Sequence, residues 1–355
     1  MLPFDFQSFS TPINLLIFGI AAVVVWVAGT RISFYADVIA DRTGMGKAFM
    51  GLLFLALATE MPEIGTSVSA SIAGNARLAV NNLFGGVIVQ TTILAVVDFA
   101  LIRGALTFFT PRAVLLLQGV QLALLLALAL AAIAVGDSMI LGGVGIWSVA
   151  LMIAYIATLL VSQRYEGQEQ WSAASPPDEK EEADALIYPD NHDRDHHNWG
   201  TGRLVIFFLI GTVFIFAAGV TLADVSDALA VQTGLGASFI GATLLAASTS
   251  LPELSTTIAA VRLRSYNMAI SNIFGSNSLA ILLIFVTDVF YQGDPILNEV
   301  DTPAIFIAAM GVVVTLIYLI GLIERRNRTI LRMGIDSALV LAFYIFSLVV
   351  LYGLR

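Results

Sequence analysis

The stretch Ala36–Ala70, ADVIADRTGMGKAFMGLLFLALATEMPEIGTSVSA, returns in the second half of the chain as Ser226–Ala260, SDALAVQTGLGASFIGATLLAASTSLPELSTTIAA. The register holds without a gap from residue 36 to residue 98, with 20 identities among 63 pairs. Shared apolar composition would match Leu with Leu and Ala with Ala. It would not align Thr59 with Thr249, Pro62 with Pro252, Glu63 with Glu253, Asn82 with Asn272 and Asp98 with Asp288. The chain therefore contains one unit twice.

The medium around that unit follows from composition. Of 355 residues, 58% are hydrophobic and 12% charged, with a mean hydropathy of +0.89. An ordinary soluble domain carries about 25% charged residues. The apolar residues fall in runs of 20 or more, and about 20 residues of helix cross a hydrocarbon core. The runs predict ten spans, at 12–33, 46–73, 79–101, 112–135, 139–162, 203–225, 235–261, 267–291, 302–323 and 331–353. Five spans per unit is an odd number, so the second unit enters the membrane from the opposite side. The expected fold class is an all-α membrane protein of ten transmembrane helices in two inverted five-helix repeats, with discontinuous second and seventh helices. The expected divisions are a first repeat at 1–162, an acidic cytoplasmic linker at 163–202 and a second repeat at 203–355. Inverted repeats with interrupted helices at matching positions are the pattern of secondary transporters, with the site near the bilayer midplane.

Lys and Arg set the orientation. With the N-terminus outside, 15 of the 17 basic residues fall in inner loops, and only Arg77 and Arg355 fall outside. The inner side is expected to be the cytoplasm, and the membrane the inner membrane of a prokaryote. The start, MLPFDFQSFSTPIN, has no basic region before its apolar run, so the first span is expected to stay in the mature protein. Without cysteine there is no disulfide, thiol catalysis or thiolate metal site. No phosphate-binding G-x-x-x-x-G-K-[ST] run supports ATP-driven pumping.

The acid-proline segments are the anomaly. Pro62 lacks the N–H that would bond to the carbonyl of Ala58, and Pro252 does the same at Ser248. A carboxylate at the bilayer centre costs several kcal/mol, so it faces a cavity or a partner. Glu60 and Glu63 are three residues apart and lie on one helical face. Oxygen-only ligation by carboxylates, hydroxyls and carbonyls suits hard cations such as Ca²⁺ and Na⁺. Thr59, Thr249, Ser250 and Ser276 supply hydroxyls. A structural kink accounts for one proline; it does not account for a kink and a glutamate repeated in register.

The segments LLAASTSLPELSTTIAA and AISNIFGSNSLAIL resemble the second α-repeat of the cation/calcium antiporter superfamily, which includes the sodium/calcium exchangers. That pattern is G-T-S-x-P-E, followed in the next span by G-N-x-x-G-S-N. LALATEMPEIGTSVSA with AVNNLFGGVIVQ matches it more loosely. The resemblance implies that Glu63 and Glu253 bind the transported cations. It gives Thr59, Thr249, Ser250 and Ser276 ligand or lining roles, and places Asn82 and Asn272 on the family asparagine. Three positions depart. Glu60 replaces the first repeat's serine, and Gly86 replaces the serine of G-S-N. The position four beyond that serine is Gln90 in the first repeat and Ala280 in the second, where calcium exchangers commonly carry an acid. Glu60 thus restores a central count of three acids, with Glu63 and Glu253. Two charges about 5 Å apart repel by roughly 3 kcal/mol at an effective dielectric near 20, so pH-dependent transport is expected.

The expected function is a secondary antiporter that exports Ca²⁺ in exchange for Na⁺, with the inorganic cations and the lipid bilayer as partners, no cofactor, and no enzymatic activity. A proton-coupled or monovalent-only antiporter is the alternative that Glu60 favours, and a cation channel is a more distant one. An intramembrane hydrolase lacks a usual ligand set, since no span contains histidine. Asp98 and Asp288 lie near the far ends of their spans, as helix-end acids or as a proton relay. The segment 163–202 holds all three histidines, His192, His196 and His197, beside ten Asp or Glu. It reads as a solvated linker, with a cytosolic cation or pH sensor as the other possibility.

Overall fold

The computed structural model describes residues 6–72, 74–140, 143–166, 199–233 and 246–354, with 172–174, 176–177 and 185–187 from the central segment. The histidines and residues 234–245 lie outside the described residues. The described residues are helical almost throughout. In the first half α1 is Thr11–Thr43, α2 Lys47–Thr59, α3 Met61–Ile72, α4 Ala76–Leu101, α5 Ala113–Val135 and α6 Ile146–Tyr165. In the second half α7 is Thr201–Thr233, α8 Ala246–Thr249, α9 Leu251–Arg262, α10 Tyr266–Phe290, α11 Thr302–Glu324 and α12 Ile335–Leu354. A two-residue hairpin, β1 Thr329–Ile330 and β2 Met333–Gly334, precedes α12.

The sequence repeat is a repeat of elements. The offset that aligns Pro62 with Pro252 also carries the start of α1 onto that of α7, and the start of α3 onto that of α9. It carries the start of α4, Ala76, onto the start of α10, Tyr266. One residue is then lost, and the starts of α5 and α11, then of α6 and α12, keep the shortened offset. Among the described residues eight helices are long and apolar enough to cross a membrane, and α2 with α3, bent by 49°, makes a ninth. The tenth run is described only from Ala246 onward, as α8 and α9.

α1 and α7 outlast the apolar runs that predicted them, 12–33 and 203–225. Hydropathy marks only the part of a helix that lies in hydrocarbon. The polar end of α1 carries Asp37, Asp41 and Arg42, and stops only at Gly44, whose positive φ of 70° and N–H to Ala40 O form a left-handed cap. That end is tied down. Lys47 pairs with Asp37 at 2.8 Å, and Ser265, at the start of α10, donates to the same carboxylate.

α4 and α10 form the centre, with 83% and 72% of their apolar windows buried, whereas the window of α12 is 17% buried. Packing between the halves uses close approaches. A Cβ on Gly51 would meet Met268 O and Asn272 N, and one on Gly275 would meet Leu52 O. Residues Met50–Leu55 of α2, which make this contact, are wound as a π-helix, a form often found at functional sites.

Asp98 and Asp288 are structural. Asp98 accepts from the backbone N–H of Leu106 and Gly334, both at 2.9 Å. Asp288 accepts from Ile296 at 2.7 Å and Gly145 at 2.8 Å. Each closes a loop in its own half and clamps the entry to a helix of the other half. The central segment is not wholly a free spacer. Ala185 and Leu186 are buried, Ala185 O accepts from Arg103 N, and Ile187 N donates to Leu101 O.

Candidate cation site

Both acid-proline segments break where the proline forbids helix continuity. α2 ends at Thr59 and α3 starts at Met61; Glu60 is the joint, at φ −75°, ψ −1°. In the second half Ser250 is the joint, at φ −83°, ψ 6°, between α8 and α9. Helical hydrogen bonding still runs through the joint, from Glu60 N to Ala56 O and from Ile64 N to Glu60 O, and Glu60 and Glu63 bring a carboxylate oxygen each within 4.8 Å of the other. Two glycines let α1 and α7 close on the breaks. A Cβ on Gly219 would strike the Pro62 ring, and one on Gly29 would strike Ser255. The sequence reading missed this pair, although Gly29 and Gly219 obey the same offset just upstream of the aligned block.

The breaks bring three acids together. Glu60, Glu63 and Glu253 each offer a carboxylate oxygen, and these oxygens lie within 4.8 Å of one another. Their side chains are 0%, 2% and 0% exposed. Two oxygens on opposite sides of a Ca²⁺ ion, each at about 2.4 Å, are about 4.8 Å apart. A single cation can therefore touch all three. Among the described residues no Lys, Arg or His pairs with them. Five of the six carboxylate oxygens have no hydrogen-bond partner; the sixth, Glu60 Oε1, accepts from Gln90 Nε2 at 2.7 Å. Buried oxygens without donors are costly, and a cation is the partner that this all-acceptor set fits.

The remaining predicted residues surround the acids in different ways. The Thr249 hydroxyl faces Glu63 and that of Thr59 faces Glu253, each across the repeat boundary. Neither makes a hydrogen bond of ordinary geometry there. They donate to Ala246 O and Ala56 O of their own helices, which leaves their lone pairs available. Thr59 Oγ1 also lies 3.3 Å from Ser276 Oγ. Ser250 Oγ, Gln90 Oε1 and Asn82 Oδ1 are buried without partners. Asn272 is engaged through Nδ2 with Thr256 Oγ1 at 3.1 Å, and only its Oδ1 is free. Asn277 is a further buried group with a free Oδ1; its Nδ2 donates to Thr91 across the halves at 3.0 Å. It is the asparagine of the G-S-N motif, the signal that could have selected it.

The profile of the sodium/calcium exchanger protein family matches residues 13–162 and 203–353, both halves. The chain belongs to this family. It is a multi-pass integral membrane protein and a cation/calcium antiporter, a transporter class. The sodium/calcium exchanger MaX1 of Methanosarcina acetivorans is 34% identical over 118 residues, 32% of this chain and 33% of that one. The inner membrane protein YrbG of Escherichia coli is 26% identical over 273 residues, 76% and 77% of the two chains. The fold is that of the sodium-calcium exchanger NCX_Mj, with a TM-score of 0.68 at 19% identity, covering 96% of this chain and 99% of that one. Each half matched by the exchanger profile contributes one of the two break segments.

Proposed function

We propose that this exchanger carries Ca²⁺ out of the cell in exchange for Na⁺ by alternating access, with Glu60, Glu63 and Glu253 as the cation-binding carboxylates. The observation that carries the reading is three buried carboxylate oxygens within 4.8 Å of one another, with no basic neighbour among the described residues. Three carboxylates supply enough negative charge for one divalent ion or a group of monovalent ions, which is what an antiporter must hold in turn. Thr59, Thr249, Ser250, Ser276, Gln90, Asn82 and Asn272 complete the oxygen set in this reading. The frame proposed for it is ten helices in two inverted repeats, 1–162 and 203–355, joined by the cytoplasmic linker 163–202. The N-terminus is outside and the membrane is a prokaryotic inner membrane. The regular offset between equivalent elements, shortened by one residue after α4 and α10, and the split of the basic residues support that frame.

A proton as counter-ion is the second reading, favoured by the third carboxylate, Glu60, in a place where Gln90 holds it. A counter-ion matrix in proteoliposomes separates the readings. Ca²⁺ uptake driven by an outward Na⁺ gradient, and absent with K⁺ or a proton gradient alone, supports Na⁺/Ca²⁺ exchange. Uptake driven by a proton gradient in Na⁺-free medium supports the second reading. Uptake with no counter-ion gradient would mean a channel.

A further inference from the structure

A second pocket opens where α11 ends and α12 begins, and it shares no lining residue with the three glutamates. Its volume is about 150 Å³, several times the roughly 30 Å³ share of one liquid water. One wall is apolar, made by Ile317, Ile320 and Leu339. Ile320 and Leu339 are 60% and 45% exposed, so that wall continues onto the lipid-facing surface. The other side holds Asp336 and Arg328, with Glu324 and Arg326 paired to each other at 3.1 Å.

Asp336 is the unexplained group. It is 8% exposed, its Oδ2 has no hydrogen-bond partner, and no basic side chain pairs with it among the described residues. It lies in the first turn of α12, where a carboxylate meets free backbone N–H groups, but such capping leaves Oδ2 unaccounted for. Gly321 makes room for it, since a Cβ there would collide with Asp336 Oδ2. Beside the pocket the β1–β2 hairpin turns through Leu331 and Arg332, both at positive φ. Ile330 and Leu331 are 50% and 78% exposed at its tip, and Arg326, Arg328 and Arg332 flank them. Exposed apolar residues ringed by arginine at a helix end mark the headgroup level of a bilayer.

We propose that this pocket binds a phospholipid whose headgroup carries a primary ammonium, as in phosphatidylethanolamine. The ammonium donates to Asp336 Oδ2, the phosphate meets Arg328, and an acyl chain follows Ile317, Ile320 and Leu339. The pairing uses each feature once. A trimethylammonium has no N–H for the orphan oxygen, and a glycerol headgroup has no positive charge to offset Asp336. A metal ion would need several carboxylate or carbonyl oxygens, yet Glu324 is held by Arg326 and both oxygens of Asp98 are taken by backbone N–H groups.

The test is lipid retention by the purified full chain. Protein equilibrated in mixed micelles with equal phosphatidylethanolamine, phosphatidylcholine and phosphatidylglycerol is isolated by size exclusion, and its lipids are counted by mass spectrometry. The wild type is expected to retain phosphatidylethanolamine about tenfold over the other two. Asp336→Asn is expected to bring that ratio close to one. Arg328→Gln, on the exposed rim, is expected to reduce retention of phosphatidylethanolamine severalfold, and it decides the matter if Asp336→Asn does not elute as a single species. Equal retention of the three lipids by the wild type would overturn the proposal, as would a preference that survives the substitutions. Displacement of the retained lipid by added Ca²⁺ or Na⁺ would also overturn it, because the pocket would then be a metal site.

Discussion

The loop clamps and the central joints both occur once in each half of this chain, and they have fared differently. Asp98 and Asp288 do the same thing in both halves. Each closes its own loop and accepts one N–H from the other half, at 2.9 and 2.9 Å for Asp98 and 2.7 and 2.8 Å for Asp288. The centres have diverged. The joint between broken helices is Glu60 in one half and Ser250 in the other; the equivalent position on the central helix is Gln90 in one and Ala280 in the other. The loop clamps answer to the backbone, which is the same in both halves, so symmetry is kept. In the proposed reading the centre answers to an ion. A single cation at the meeting point has no need of identical ligands on its two sides.

The largest effect is expected where the halves agree at the centre. Glu63→Gln and Glu253→Gln should each abolish exchange in proteoliposomes while the purified protein still elutes as a folded species. Both acids line one site, so their losses should be similar. Normal flux in either variant would remove that residue from the site.

The loop clamps should give a smaller, symmetric effect on stability. Asp98→Asn and Asp288→Asn each leave a buried backbone N–H facing an amide in place of one carboxylate oxygen. Each should cost about 1–3 kcal/mol of stability, read as matching losses of thermal stability in detergent. A loss in only one half would break the comparison. Loss of proton coupling at unchanged stability would return these aspartates to the role of a relay.

The smallest effect belongs to the central linker. Deleting residues 172–184 spares Ala185, Leu186 and the backbone bonds to Leu101 and Arg103, and should change flux by less than about twofold, as expected of a polar spacer. Carrying the deletion through Leu186 should cost more, because it removes buried contacts.

What could be read from the sequence, and what could not, has a physical basis. The repeat was legible because Pro, Glu, Asn and Asp cannot align by apolar composition. The meeting of Glu63 with Glu253 was legible for the same reason, as two copies of one motif in one fold. The lengths of α1 and α7 were not, since hydropathy registers hydrocarbon and not helix, and Gly44 rather than the membrane boundary stops α1. Gly29 and Gly219 were hidden because a missing side chain leaves no chemical mark in a sequence until a neighbour such as Pro62 is seen against it. The setting of Glu60 was hidden too. Spacing put it on the helical face of Glu63, but the partner that holds it, Gln90, comes from the next span.

The central claim is that Glu60 supplies, from the first half, the third carboxylate that the second half lacks at Ala280. It is tested most directly by equilibrium Ca²⁺ binding against pH for the wild type, Glu60→Ser, and Glu60→Ser combined with Ala280→Asp. Protons and Ca²⁺ compete for the same oxygens, so wild-type affinity should fall as the pH falls. Glu60→Ser should weaken Ca²⁺ binding at neutral pH by about tenfold or more, roughly 1.4 kcal/mol, weaken Na⁺ binding less, and flatten the pH dependence. Ala280→Asp should recover most of the lost affinity by returning the acid from the other side of the site. Identical affinities and pH profiles for the wild type and Glu60→Ser would contradict the claim, as would a folded double variant that recovers nothing.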